Sequence, residues 1–168
     1  QTQFGFQEPI VATTRERRPT DGIDRLSGLT IGIFQRMVEV GAIIFDHQPF
    51  GADNHWYGFL KDSLTVDGSV LTEIHVDNVL RFRQKYGNKL KLVGLTADDD
   101  YLAQNLAQRG TETTEVAAIR LTAALCEREK IRQFSEQGLI DIVIKVGNEN
   151  RETFAQTMIQ IVSSFFNK

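Results

Sequence analysis

The chain has 168 residues, 41% of them apolar, which is enough for one compact domain with a sizeable core. Its 19 basic and 22 acidic side chains leave a net charge of -3, so no global electrostatic case exists for a nucleic-acid or anionic-membrane partner. No apolar run approaches the roughly 18–20 residues of a membrane span and no charged-then-apolar leader opens the chain, so the expectation is a soluble, cytoplasmic protein.

The sequence starts at Gln1 rather than methionine, as a processed or trimmed piece of a longer protein does. Apolar, β-branched runs then alternate with longer helical patterns. This order suits a mostly parallel sheet flanked by helices, and the fold class is α/β. Strands are predicted at Pro9–Ala12, Ala42–Asp46, Val70–His75, Leu90–Leu95 and Ile140–Val146. The last two are near-continuous apolar runs, as strands covered on both faces are. Thr96 precedes Ala97, Asp98 and Asp99, an N-cap hydroxyl followed by early carboxylates, and predicts a helix to about Gln108 ended by Gly110. Cys126, the single cysteine, lies in a further helical stretch and reads as a buried, inert thiol of a reducing compartment. Phe154, Met158, Ile161 and Phe165 form one apolar stripe at helical spacing, capped by Asn148 or Asn150 and suited to docking on the sheet.

Chemistry concentrates just after the first predicted strand, in Thr13-Thr14-Arg15-Glu16-Arg17-Arg18-Pro19 followed by Asp21-Gly22-Ile23-Asp24. Guanidinium groups make bidentate bonds to phosphate or carboxylate oxygens, so Arg15 and Arg18 at a strand end are candidates for an anion clamp. A solvated surface cluster is the alternative. His47, His55 and His75, with Asp46 and Asp53, bring imidazole and carboxylate close in sequence, but their spacing matches no metal motif and no metal ligand is assigned. Trp56 and Phe59 either stack on a ligand or form a small aromatic core.

The arginine segment resembles the Thr-Thr-Arg-x-x-Arg-Pro…Asp-Gly-x-Asp segment of guanylate kinases. Asn54-His55-Trp56-Tyr57-Gly58 resembles that family's Asn-Tyr-Tyr-Gly turn, and Glu73-Ile74-His75-Val76-Asp77-Asn78-Val79 resembles its Glu-Ile-Asp-x-Gln-Gly strand end. Gln108-Arg109-Gly110-Thr111-Glu112-Thr113-Thr114-Glu115, with Arg120-Leu121-Thr122-Ala123-Ala124 after it, is similar to the family's lid. The resemblance runs from about Gln3 to the C-terminus. It implies a P-loop-kinase-like parallel sheet flanked by helices, with a small acceptor-binding subdomain (about 13–75) and a helical lid (about 98–135), all within a single domain over 1–168. It also implies acceptor or phosphate contacts at Arg15, Arg18, Tyr57, Glu73 and His75, and ATP-phosphate contacts at Arg109 and Arg120. Positioned arginines stabilise the charge of phosphoryl transfer. As alternatives, Arg109 offsets the dipole at a helix C-terminus and Arg120 pairs with Glu115 or Glu127. A third lid arginine of many relatives falls at Asn105.

The departures from the family are as informative. No Gly-x-x-x-x-Gly-Lys-Ser/Thr occurs, so the amides, lysine and hydroxyl that hold donor phosphates and magnesium are missing. The family's corresponding strand, loop and helix would precede Gln1, and a parallel sheet without that strand exposes unpaired backbone. In the acceptor pocket Val11 replaces a serine, Arg25 or Leu26 a tyrosine, Phe45 the guanine-reading glutamate (with Asp46 adjacent), Phe59 a small hydroxyl and His75 an acid. Each buried polar partner lost costs a selective site about 1–3 kcal/mol, so GMP specificity is expected to be gone. Two functions follow as expectations. One is a non-catalytic, pseudokinase-like domain binding a phosphorylated small molecule, nucleotide or phosphopeptide. The other is a nucleoside monophosphate kinase for a non-guanine acceptor, using ATP and magnesium, with its phosphate loop upstream.

Overall fold

A computed structural model describes residues 5–19, 21–49, 55–65, 68–109, 113–147 and 150–166. The chain forms two compact units, Gln1–Phe82 and Arg83–Lys168.

In the first unit, β1 (Val11–Thr13), β2 (Arg25–Leu26), β3 (Ile43–His47) and β4 (Tyr57–Leu60) make a four-stranded sheet in the order β2-β1-β4-β3. β1 runs parallel to β2, while β4 is antiparallel to both β1 and β3. Helix α1 (Ile31–Glu39) is capped by Thr30, whose hydroxyl accepts from the Ile33 amide at 3.2 Å, and it turns Phe34 inward. Phe34, Ala12 and Ile43 form the core of this sheet, with Leu29, Met37, Val38, Trp56 and Leu60 packed around them. Trp56 is therefore a core residue. Gly58 is required where β4 crosses β3, because a Cβ there would lie 2.5 Å from Ile43 Cγ2. Helix α2 (Val79–Tyr86) follows a short 3-10 turn over Val76–Asn78.

In the second unit, β5 (Val93–Ala97) and β6 (Ile142–Val146) pair in parallel over five residues each. Arg83 and Asp141 fasten them: Arg83 donates to the Leu90 carbonyl at 2.8 Å, to the Leu139 carbonyl at 2.7 Å and to Asp141, which accepts from the Leu92 amide at 2.7 Å. Burial pushes the Asp141 carboxyl up, but the Leu92 amide, Arg83 and Lys91 outweigh it and hold it below its ordinary range. Helices α3 (Asp99–Arg109) and α4 (Thr114–Glu136) pack together, with Arg128 donating to the Ala97 carbonyl at 2.9 Å and to Asp99 at 2.7 Å. Helix α5 (Arg151–Phe166) starts at Asn150, whose side chain accepts from the Thr153 amide at 2.8 Å. Its predicted stripe is half-buried throughout. Asn148 lies outside the described residues.

The α/β class holds, with local corrections. Val70–His75 is not a strand: only Val70 bridges to Gln7, and the chain then turns into the 3-10 segment that His75 caps. β5 and β6 are not covered on both faces. Ile131 of α4 and Ile140 cover Gly94, but Leu95 and Val143 are 46% and 41% exposed. Thr96 is not an N-cap, because it lies within β5 and donates its hydroxyl to the Ile144 carbonyl, and α3 begins after Asp98. Cys126 is exposed rather than buried, on a long helix with no fully buried residue. Tyr57 and Gly58 lie in a strand rather than a turn. Gly110 lies outside the described residues.

Candidate functional site

The arginine segment leaves β1 as a loop tied down at both ends. The Gly28 amide donates to the Arg15 carbonyl at 2.8 Å and the Leu29 amide to the Thr13 carbonyl at 3.2 Å. The two threonines are structural: Thr13 Oγ1 accepts from the Arg15 amide at 3.1 Å, and Thr14 Oγ1 accepts from the Trp56 amide at 2.9 Å. Arg15 is thereby buried, only 8% exposed. Its Nη2 donates to both Asp21 oxygens at 2.9 Å, and its Nη1 donates to the Glu16 carbonyl at 2.7 Å. The Arg18 amide also donates to Asp21, at 2.8 Å, and Arg25 Nε lies 3.6 Å from the same carboxylate. That Arg18 amide, then Arg15 and Arg25, hold the Asp21 carboxyl below its ordinary range against the opposing effect of burial. Arg15 and Arg18 therefore share one carboxylate, Arg15 through its guanidinium and Arg18 through its backbone. The exposed Arg18 side chain makes no ion pair among the described residues.

A second cluster surrounds the turn after β3. Register shifts between Ile44 and His47, and Phe45 takes a left-handed backbone with φ 55°. Such a conformation costs a non-glycine residue about 1–2 kcal/mol. What holds it is packing: the Phe45 ring stacks on Phe82 at 3.8 Å, and Phe59 meets Phe82 edge-on at 5.9 Å. Asn78, 1% exposed, donates to the Phe45 carbonyl at 2.9 Å. Its Oδ1 accepts from Arg81 at 3.0 Å, which fixes the amide so that the donating Nδ2 also faces His47 Nδ1 at 3.2 Å. The same Nδ1 lies 3.3 Å from the Phe45 carbonyl, so it accepts from Asn78 in one tautomer and donates to Phe45 in the other. Burial, followed by the neighbouring His75, lowers the His47 pKa from its ordinary 6.5. The His47 and His75 rings stack at 5.1 Å, and Tyr57 lies 6.0 Å from His47. Asp46 is taken by Arg81, through its side chain at 3.1 Å and its carbonyl at 2.8 Å.

The two positions where guanine-reading groups were expected, Phe45 and Phe59, are thus 5% and 3% exposed parts of an aromatic core. Tyr57 and His75 meet at His47, whereas Glu73 is exposed on the irregular segment before the 3-10 turn. In the other unit, Arg109 ends α3 and the half-buried Arg120 lies on α4. The sequence motifs contained both Asn78 and Asp21 but gave neither a role, because Asn78 on Phe45 and Asp21 on Arg15 act through contacts that spacing does not encode. Among the described residues no group of three or more His, Cys, Asp or Glu is arranged to hold a metal ion. No helix among them is long and apolar enough to cross a membrane.

An arginine-bearing strand end on a mixed sheet in one unit, and a parallel strand pair with paired helices in the other, make an α/β architecture. Comparison with known proteins narrows the class. The chain is 27% identical over 135 residues to the guanylate kinase of Streptococcus pneumoniae (strain ATCC BAA-255 / R6), covering 77% of this chain and 63% of that protein. It is 28% identical over 142 residues to the guanylate kinase of Lactococcus lactis subsp. lactis (strain IL1403), covering 81% and 66%. The fold is similar to the crystal structure of guanylate kinase from Anaplasma phagocytophilum, with a TM-score of 0.68, 21% identity, and coverage of 95% of this chain and 75% of that one. No family model matches. The chain spans somewhat under two thirds of the length of these curated relatives. In sequence and in fold the chain is thus similar to guanylate kinases.

Proposed function

We propose that this domain binds a phosphorylated ligand or partner through Arg15 and Arg18, is not catalytic by itself, and does not select guanine. The observation that carries the reading is the state of the two halves of the old acceptor site. The phosphate half keeps a buried guanidinium that already holds an oxyanion, Asp21, while Phe45 and Phe59 of the base half are packed into a core. An arginine with both terminal nitrogens ordered by its own loop is suited to phosphate oxygens at little further entropic cost. The residues do not fit a magnesium–triphosphate group, since the sequence has no glycine-rich loop ending in Lys-Ser or Lys-Thr. No phosphoryl-transfer step is derived from them.

Titration with phosphomonoesters, followed by calorimetry, tests the reading. Binding that the double variant R15A/R18A abolishes supports it, and affinity equal in both proteins overturns it. A second reading, a nucleotide kinase whose phosphate loop comes from a segment outside these residues, is favoured by Arg109 and Arg120 on successive helices α3 and α4. A coupled assay of the full-length protein with ATP, magnesium and a panel of nucleoside monophosphates tests it. Turnover lost in R120A supports this reading; no turnover with any acceptor rejects it.

A further inference from the structure

Three donors converge on Asp21: Arg15 Nη2 on both oxygens at 2.9 Å, the Arg18 amide at 2.8 Å, and Arg25 Nε at 3.6 Å. This is how a protein holds a tetrahedral or carboxylate oxyanion, and Arg25, or Leu26 with a one-residue shift, stands where the family resemblance places a phosphate-binding tyrosine. Residues 15–25 carry four arginines and three carboxylates, so the loop keeps a positive balance even with Asp21 in place. The stretch bearing Asp21 is held by polar bonds, the Asp21 amide donating to the Arg18 carbonyl at 3.0 Å and Arg17 to the Asp21 and Gly22 carbonyls at 3.3 Å, and it buries little apolar surface. Gly22 is exposed and Ile23 is 98% exposed, so moving Asp21 aside uncovers almost no apolar surface. The backbone bonds of Gly28 and Leu29 hold the arginine end of the loop independently of that stretch.

We propose that Arg15, Arg25 and the Arg18 amide form one exchangeable oxyanion cradle, occupied by Asp21 at rest and by a phosphomonoester group when ligand binds. This rests on the phosphate-binding reading above and deepens it. Arg25 becomes the second guanidinium of the site, and Asp21 an internal competitor that lowers apparent affinity. A tethered carboxylate competes at high effective concentration, so removing its charge should be felt strongly.

The test is titration of wild type, D21N and D21N/R25A with inorganic phosphate at constant ionic strength, with circular dichroism confirming the fold; D21A replaces D21N if the amide variant misfolds. The cradle predicts at least about tenfold tighter phosphate binding in D21N, and loss of most of that gain in D21N/R25A. Parallel titrations with ribose 5-phosphate and a phosphoserine peptide distinguish a small-molecule from a peptide source, and the same D21N gain with either supports the cradle. If wild type binds phosphate and D21N binds it no tighter, Asp21 is not a competitor and the cradle is overturned while the phosphate-binding reading stands. If D21N/R25A binds as tightly as D21N, Arg25 has no part in the cradle. If none of the proteins binds any of the three probes, both readings fall.

Discussion

Replacing Asn78 with alanine probes how the rewritten base half is held together. The amide is 1% exposed and serves three partners: the Phe45 carbonyl at 2.9 Å, His47 Nδ1 at 3.2 Å and Arg81 at 3.0 Å. Arg81 is exposed and can turn to water, so its loss costs little. The Phe45 carbonyl then loses a buried donor, at about 1–3 kcal/mol, while His47 Nδ1 loses Asn78 and keeps its 3.3 Å approach to that carbonyl. The Phe45 backbone, already in the left-handed region, also loses a bond that fixes it. The expected destabilisation is about 2–4 kcal/mol, which for a chain of this size lowers the midpoint of thermal unfolding by roughly 5–15 °C. Urea and thermal unfolding read it directly. A double-mutant cycle with H47Q should show a coupling above about 0.5 kcal/mol, because the two side chains share one bond. Were N78A to unfold within about 1 kcal/mol of wild type with no coupling to His47, Asn78 would not be what holds the turn, and the account of Phe45 would fail.

Other substitutions follow from the same structure. G58A places a methyl group 2.5 Å from Ile43 Cγ2 in a site where Ile43 is 1% exposed, so a loss of about 1–3 kcal/mol is expected, partly recovered in G58A/I43V. His47 is held neutral: its folded pKa is below the ordinary 6.5, so the unfolded chain takes up the proton first, and stability should fall as pH drops below about 6.5. H47Q should flatten that part of the stability–pH profile. The neighbouring charges of His75, Asp46 and Asp77 remain in both proteins. In the second unit R83A removes donors from the Leu90 and Leu139 carbonyls and from Asp141, and should cost about 2–4 kcal/mol by denaturant unfolding. The Asp141 carboxyl is depressed below 3.8, so its contribution is present above that value and lost as pH falls through the lower folded one; D141N should lose it at neutral pH as well.

Much of the fold was legible in the sequence. A periodic apolar stripe carried α5, with Asn150 of the two expected caps in place, whereas α3 was read from end signals whose N-cap residue, Thr96, belongs to β5. Four of the five predicted strands exist with shifted ends. The others escaped for physical reasons. β2 has two residues and β4 four, too few for alternation to register, and Val70–His75 has strand-like side chains but pairs only at Val70. At the candidate site, the arginines were visible because their type and position suit anions. That Asp21 would fill Arg15 and that Phe45 would turn into a core on a positive φ depend on tertiary contacts.

The most direct measurement is base discrimination at the phosphate site: competitive titration of the folded domain with GMP, AMP, UMP and ribose 5-phosphate. With Phe45 and Phe59 buried in the core, the four should bind within about threefold of one another and all should weaken in R15A. GMP binding about a hundredfold tighter than AMP, or unchanged in R15A, would contradict the account.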